Sequence, residues 1–164
     1  MTGVQTCALP IYRKWLLDFM SNPNTLRPML IRRMPKFNLS HAEIQSLSDY
    51  LLTAYQAAGF DSQALDASAL NADAAARGKQ LFYTKYACQS CHIADSKKDK
   101  GYVGPALAGV GDRLTPVWIY KWLKNPNVLN PGTLMPNPIL PDGEARDLTA
   151  FLVTLKAHQK GGTK

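Results

Sequence analysis

Two cysteines and a histidine stand close together near the middle of the chain, as Cys88, Cys91 and His92. This spacing, C-x-x-C-H, is a signature of covalent c-type haem attachment. Two thiols three positions apart on one helical turn can each form a thioether to a vinyl group of one porphyrin, and the histidine that follows can bind the iron through its imidazole. The motif therefore predicts one covalently bound haem c with its iron.

A C-x-x-C pair can also be half of a zinc site or a thioredoxin-like redox pair. Zinc needs two further Cys or His ligands, and the remaining candidates, Cys7, His41 and His158, are scattered along the chain. A thioredoxin-like pair expects a βαβ context, and no such pattern surrounds the motif. Both alternatives are weaker than haem attachment.

Met135 is the candidate for the sixth iron ligand. No other methionine occurs between residues 77 and 158, and Met135 lies in a proline-rich stretch. A thioether opposite a histidine raises the reduction potential of a haem. Two alternatives remain: Met135 only fills a gap in the core, as methionine commonly does, or His158 takes the sixth position.

Two segments of the chain resemble each other, which is the signature of an internal repeat. A tryptophan, an Asn-Pro-Asn run and a Met-Pro pair occur in the same order in both. The matched positions are Trp15 with Trp118, 22–24 with 125–127, and Met34 with Met135. Residues 12–58 therefore look like the C-terminal half of a domain whose complete copy spans 77–158. Residues 59–76 are predicted to be a linker with one short helical turn, and 159–164 a tail.

The first eleven residues, MTGVQTCALPI, resemble the translation of a sequencing-library adapter. We therefore expect residues 1–11 to be an artefact, Cys7 to have no role and the natural N-terminus to be missing. The simplest interpretation is a gene fragment from a protein with at least two similar domains. The alternative is a genuine N-terminal strand or loop.

Helices must position these residues. A capping box from Ser40 to Glu43 predicts a helix, and Pro116 suits the first turn of another that ends near Lys124. Two more are expected, one from about residue 73 or 74 up to the haem motif and one that closes the chain. The predicted apolar faces consist of Ile44, Leu47, Leu51 and Leu52 in the capped helix and Leu148, Phe151, Leu152 and Leu155 in the last one.

Glycine and proline are frequent in residues 93–115 and 125–140, which are predicted to be loops. No convincing strand pattern occurs, so the fold class is all-α. Long loops in so small a domain need a surface on which to pack, and a haem supplies one.

Residues 77–158 resemble a class I cytochrome c domain, wrapped around its covalent haem. The matching features are the haem motif, Gly78, Phe82, Gly104-Pro105-x-Leu107, Trp118 and Leu134-Met135-Pro136. The resemblance implies that the first and last helices cross at Gly78, with Phe82 near Phe151 or Leu152. It also implies that the carbonyl of Pro105 accepts a hydrogen bond from His92, and that Trp118 lines the haem pocket near a propionate. Met34 resembles the distal ligand of a haem whose attachment motif is absent.

The implied function is single-electron transfer, as a carrier or as the cytochrome subunit of a respiratory complex, not catalysis. Two occupied axial positions leave no site for a substrate. The alternatives are a fragment of a di-haem peroxidase or a haem-based sensor, both of which need an open iron position. The net charge of +7 favours acidic redox partners.

No nucleic-acid motif and no run of apolar residues long enough to span a membrane occurs. The resemblance implies a periplasmic location or one on the outer face of the cytoplasmic membrane, where the chain could associate with a membrane complex.

Overall fold

The computed structural model describes residues 11–27, 30–31, 34–54 and 65–157. Its helices are α1 (Arg13–Ser21), α2 (His41–Ala54), α3 (Ala72–Tyr83), α4 (Val110–Arg113), α5 (Pro116–Lys124), α6 (Pro126–Leu129) and α7 (Asp142–Thr154), with 3₁₀ turns at Ala67–Ala69 and Cys88–Ser90. Within the described ranges, the β structure is limited to one isolated bridge. The predicted all-α fold class is confirmed.

The main core forms where α3 crosses α7. Gly78 lies at the crossing, and a Cβ atom there would overlap the backbone carbonyl of Asp147. One turn later, the rings of Phe82 and Phe151 meet edge to face with centroids 5.4 Å apart. The predicted crossing and the predicted aromatic contact are both confirmed. Helix α5 also packs on α7 and buries Ile119.

Helices α1 and α2 pair to form a second, smaller core around Leu16, Met20 and Ile44. The predicted capping box is present at the start of α2: Ser40 N–H donates to Glu43 Oε2 at 2.7 Å, and Glu43 N–H donates to Ser40 Oγ at 3.3 Å. These two bonds satisfy backbone donors that the first turn of a helix leaves unpaired.

Several element boundaries differ from the prediction by a residue or two. Helix α3 begins at Ala72, one residue before the earlier of the two predicted starts, because the Asn71 side chain caps it by accepting from Ala74 N–H at 2.9 Å. Helix α7 ends at Thr154, so Leu155 lies beyond it. The stretches 93–115 and 125–140 are mostly loop, as predicted, and each also contains a single-turn helix, α4 in the first and α6 in the second. Leu47 was expected in the core but is 37% exposed.

Some predictions fall on residues outside the described ranges. They concern residues 1–10 of the adapter-like segment with Cys7, residues 55–64 of the linker, and His158 with the tail 159–164.

The two helical segments contact each other through α1 and the chain around α4. Ile11 bridges to Leu114, and Tyr12 N–H donates to the Arg113 carbonyl at 3.0 Å. The Arg113 guanidinium lies 5.8 Å from the ring centroid of Trp15, and burial lowers the pKa of Arg113 to about 10. The first segment therefore rests on the loop that follows the haem motif.

Candidate haem-binding site

The haem motif folds into a tight turn directly after α3. The carbonyl of Cys88 accepts hydrogen bonds from the N–H groups of both Cys91, at 3.1 Å, and His92, at 3.0 Å. Ala87, just before the turn, has a φ of 45°, which reverses the chain as it leaves α3. The Gln89 side chain donates to the Tyr83 carbonyl at 3.1 Å and ties the turn to the helix.

Both thiols of the motif are free, Cys88 half-buried and Cys91 exposed. Burial raises the pKa of Cys88 to about 11, whereas thioredoxin-like pairs depend on a lowered thiol pKa. The described residues also hold no cluster of three or more His, Cys, Asp or Glu side chains that could bind a metal ion. Neither the redox-pair nor the zinc interpretation gains support from this geometry.

His92 is held by a backbone carbonyl. Its Nδ1 lies 2.9 Å from the Pro105 oxygen. A carbonyl oxygen can only accept, so Nδ1 carries the proton and Nε2 keeps its lone pair for a metal. A Cβ at Gly104 would overlap the imidazole ring, so a glycine is required beside His92. The hydrogen bond implied by the resemblance is present.

Further hydrogen bonds fix the chain that carries Pro105. Gly104 N–H donates to the Cys91 carbonyl at 2.9 Å, and Leu107 N–H donates to the Ile93 carbonyl at 2.7 Å. Ala106 N–H, between them, donates to the Leu26 carbonyl of the first segment at 3.0 Å. Residues 104–107 are therefore bonded both to the motif and to the first segment.

The loop after His92 closes around a buried carboxylate. Asp99 is 8% exposed and accepts from the N–H groups of Ala94 and Asp95, each at 2.8 Å. The Tyr83 hydroxyl donates to the same oxygen at 3.2 Å. Burial, more than the nearby Asp99, raises the pKa of Tyr83 to about 12, so this hydroxyl keeps its proton and its hydrogen bond at neutral pH.

Met135 packs with the motif against the same core. Its side chain and that of Cys88 both contact the cluster around the α3–α7 crossing. Met135 Sδ accepts a hydrogen bond from Trp122 Nε1 at 2.9 Å. The Trp122 ring stacks on Trp118, with centroids 4.9 Å apart and an interplanar angle of 16°.

The buried indole N–H of Trp118 gives the best test of whether a haem fits the site. Its Nε1 is buried and donates to no acceptor within the described part of the chain. A buried N–H normally has a partner, and a haem propionate is an acceptor of the required kind. The residues around the motif thus fit a haem, with a spare donor for its carboxylate, a lone pair on His92 Nε2 and two free thiols.

Met34 is not part of this arrangement. It lies in the first segment, is 38% exposed, and lines an open cavity of about 320 Å³ with Phe19, Leu26 and Leu30. Trp122, Gly104 and Asp99 were not among the predicted site residues. Two of the three left a signal in the sequence: Gly104 belongs to the matched stretch Gly104-Pro105-x-Leu107, and Trp122 lies one helical turn from Trp118, on the same helix face.

Comparison with known proteins agrees with the geometry of the site. The sequence model of the cytochrome c family matches residues 75–156. Cytochrome c2 from Rhodopila globiformis is 34% identical over 100 residues, an alignment that covers 48% of this chain and 91% of that protein. No solved structure matches significantly. In the part of the chain described, none of the helices is both long and apolar enough to cross a bilayer.

The family match spans α3 through α7 and includes the motif, the loop with Pro105 and Met135. Family membership implies a covalently bound haem c with its iron, electron transfer through that haem, and redox partners. On the match, the relative and the fit of the residues around Cys88, the chain belongs to the cytochrome c family.

Proposed function

We propose that this chain carries single electrons through a haem attached to Cys88 and Cys91, with His92 and Met135 as the two axial iron ligands. The observation that carries the proposal is the 2.9 Å hydrogen bond between His92 Nδ1 and the Pro105 oxygen. It fixes the tautomer in which Nε2 can bind iron. The haem supplies an iron that changes between its ferrous and ferric states.

The surrounding residues hold this cofactor by complementary chemistry. Trp118 offers its unpartnered indole N–H to a propionate, while Pro105 keeps the imidazole of His92 oriented. Met135 presents a thioether, a ligand that favours a higher potential when it stands opposite histidine. With His92 and Met135 both binding the iron, no iron position would remain for a substrate, and the haem would supply electron transfer alone.

A basic surface favours acidic redox partners. From residue 77 onward there are 13 basic and 6 acidic residues, and opposite charge accelerates encounter between partners. We place the protein in the periplasm or on the outer face of the cytoplasmic membrane, alone or as part of a respiratory complex, because haem c is attached outside the bacterial cytoplasm.

The test is the weak near-infrared absorption band that marks a thioether bound to ferric haem iron. We expect the oxidised, haem-loaded protein to show this band and Met135→Ala to lose it. Met34→Ala is the matched control, since Met34 lies in the first segment, and it should keep the band. Rapid binding of carbon monoxide or peroxide by the wild-type protein would instead favour the sensor or peroxidase alternatives.

We further propose that residues 12–58 are the C-terminal half of a second cytochrome c domain, with Met34 as its distal ligand. The two segments have corresponding aromatic stacks and helix ends. Trp15 stacks on Phe19 with centroids 4.8 Å apart and an angle of 14°, as Trp118 stacks on Trp122. The C-cap of α1 is Asn22 and that of α5 is Asn125.

The exposed face of α2 supports the same proposal. Leu47 and Tyr50 are 37% and 58% exposed, whereas the matching positions on α7, Leu148 and Phe151, are 1% and 6% exposed. The difference arises because α3 covers α7. A helix with the chemistry of α3, placed on α2, would complete the first domain and bring its own haem motif.

A further inference from the structure

Asp99 brings a negative charge inside the protein, in the loop that follows His92. Its side chain is 8% exposed, and one carboxylate oxygen accepts from Ala94 N–H and Asp95 N–H, each at 2.8 Å, and from the Tyr83 hydroxyl at 3.2 Å. All three donors are neutral groups. None of the ion pairs among the described residues includes Asp99. Hydrogen bonds therefore satisfy this carboxylate, but no cation cancels its charge.

The carboxylate of Asp99 is close to His92 in space. Covalent geometry allows at most about 6 Å between the Cα of His92 and the nitrogen of Ala94, so the bonded oxygen of Asp99 lies within about 9 Å of that Cα. Gly101, two residues after Asp99, packs on the peptide bond that joins Cys91 to His92, since an added Cβ would lie 2.5 Å from both atoms of that bond. A buried charge at such a distance is screened much less than one at the surface.

We propose that the buried charge of Asp99 lowers the reduction potential of the haem. The inference rests on the proposed function, in which His92 binds the iron. A ferric haem carries one more positive charge than a ferrous haem, and a fixed negative charge nearby stabilises the ferric state more. The electron itself comes from one redox partner and leaves to another, and Asp99 gains and loses nothing. Asp99 thus opposes the increase in potential that a thioether ligand brings.

Tyr83 makes it possible to separate the charge of Asp99 from the hydrogen bonds around it. The positive end of the Tyr83 O–H dipole points at the carboxylate and offsets part of its charge. Tyr83→Phe removes this dipole but keeps the charge and the ring, which meets Phe82 at a centroid distance of 5.0 Å. Asp99→Asn removes the charge but keeps an acceptor oxygen. An electrostatic role predicts opposite shifts of the potential, whereas a structural role predicts shifts of the same sign, because both variants weaken the same network.

The experiment compares the reduction potentials of haem-loaded wild type, Asp99→Asn and Tyr83→Phe. We expect Asp99→Asn to raise the ratio of reduced to oxidised haem at a fixed electrode potential about threefold, or about 28 mV at about 59 mV per tenfold change. Tyr83→Phe should lower the same ratio about twofold, or about 18 mV. The inference is overturned if both potentials shift in the same direction, or if Asp99→Asn matches wild type.

Asp95→Asn is the matched control for the loss of charge. Asp95 belongs to the same loop and is nearer to His92 along the chain, but its side chain is 41% exposed and lies 3.9 Å from Lys98 Nζ. Water and the lysine already screen this carboxylate, so the potential of Asp95→Asn should stay close to that of wild type. An equal rise in Asp95→Asn and Asp99→Asn would mean that burial of Asp99 is irrelevant, and the inference would fail.

Tyr83→Phe also covers the case in which Asp99→Asn cannot be isolated with haem. Its potential then decides alone: a value below that of wild type supports the inference, and an equal or higher value overturns it.

Failure of the proposed function would look different. If wild type lacks the near-infrared band, or Met135→Ala retains it, the assignment of Met135 as ligand is wrong, while the shifts at Asp99 remain, since they need only a haem bound through His92. If the band depends on Met135 but the potential responds to neither Asp99→Asn nor Tyr83→Phe, only the role of Asp99 is wrong.

Discussion

Gly78 lies where two helix backbones come closest, and the cost of a single methyl group there can be predicted. A Cβ would overlap the Asp147 carbonyl, so α3 and α7 would have to separate. We expect Gly78→Ala to lower the free energy of unfolding by about 2 kcal/mol or more, measured by denaturant titration of the haem-loaded protein.

Gly143 provides the matched control for Gly78. It lies in α7, and an added Cβ there meets nothing within 4 Å. Alanine is the better helix former by up to about 1 kcal/mol, so Gly143→Ala should be neutral or stabilising. An equal loss of unfolding free energy in the two variants would show that the close crossing is not what makes Gly78 necessary.

At the residue scale, the sequence predicts those site residues that can be recognised from their neighbours in the chain. Cys88, Cys91 and His92 follow from one spacing, and Met135 follows from its isolation in a proline-rich stretch. Trp122 and Asp99 could not be predicted in this way. Their roles depend on where a loop folds back, since Asp99 acts on backbone groups and Trp122 on a sulfur that is distant along the chain.

At the scale of elements, an ion-pair cluster joins the end of α3 to the start of α7. Lys85 Nζ and the Tyr86 hydroxyl donate to Glu144 at 2.7 and 2.6 Å. The hydrogen bond from Lys85, followed by that from Tyr86, lowers the pKa of Glu144 below its ordinary value of 4.5. The folded protein therefore releases this proton more readily than the unfolded chain.

This lowered pKa predicts a pH dependence. The stability contributed by Glu144 is present above about pH 4.5 and is lost as the pH falls through the lower folded-state value. Glu144→Gln should reduce the melting temperature at pH 7 and make its decline toward acid pH shallower. Asp18→Asn, which removes an exposed pair within α1, should leave the acid decline unchanged.

A helix can be predicted from the sequence when the residues that start it stand close together in the chain. Helix α5 has its predicted bounds because a proline opens it, and α2 has its predicted capping box. The single turns α4 and α6 cannot be predicted within stretches that are mostly loop, because four residues show no periodicity. Helix α3 begins one residue before its predicted start, because the Asn71 cap lies within a segment whose composition resembles a linker.

At the scale of the whole molecule, the proposed half-domain can be completed by design. A copy of residues 72–114 placed directly before Tyr12 would supply α3, the haem motif and the Pro105 loop to α1 and α2. We expect two covalent haems per chain, measured by mass and by haem absorbance, and a near-infrared band that falls by about half in Met34→Ala if the two haems contribute alike.

The control for this graft has alanine in place of both cysteines of the added haem motif, and it should carry one haem. A graft that also carries one haem, with a band indifferent to Met34→Ala, would contradict the assignment of residues 12–58. The single-haem electron carrier proposed for the complete domain would be unaffected by that result.

The hydrogen bond from Ala106 N–H to the Leu26 carbonyl lies next to the Pro105 carbonyl, which orients His92. Ala106 follows Pro105 directly in the chain, so the first segment helps to fix the carbonyl that orients the imidazole. Loss of this hydrogen bond would weaken the hold of Pro105 on His92. A change in how α1 and α2 pack on residues 104–107 would then alter the absorption spectrum and the reduction potential of a haem held through His92.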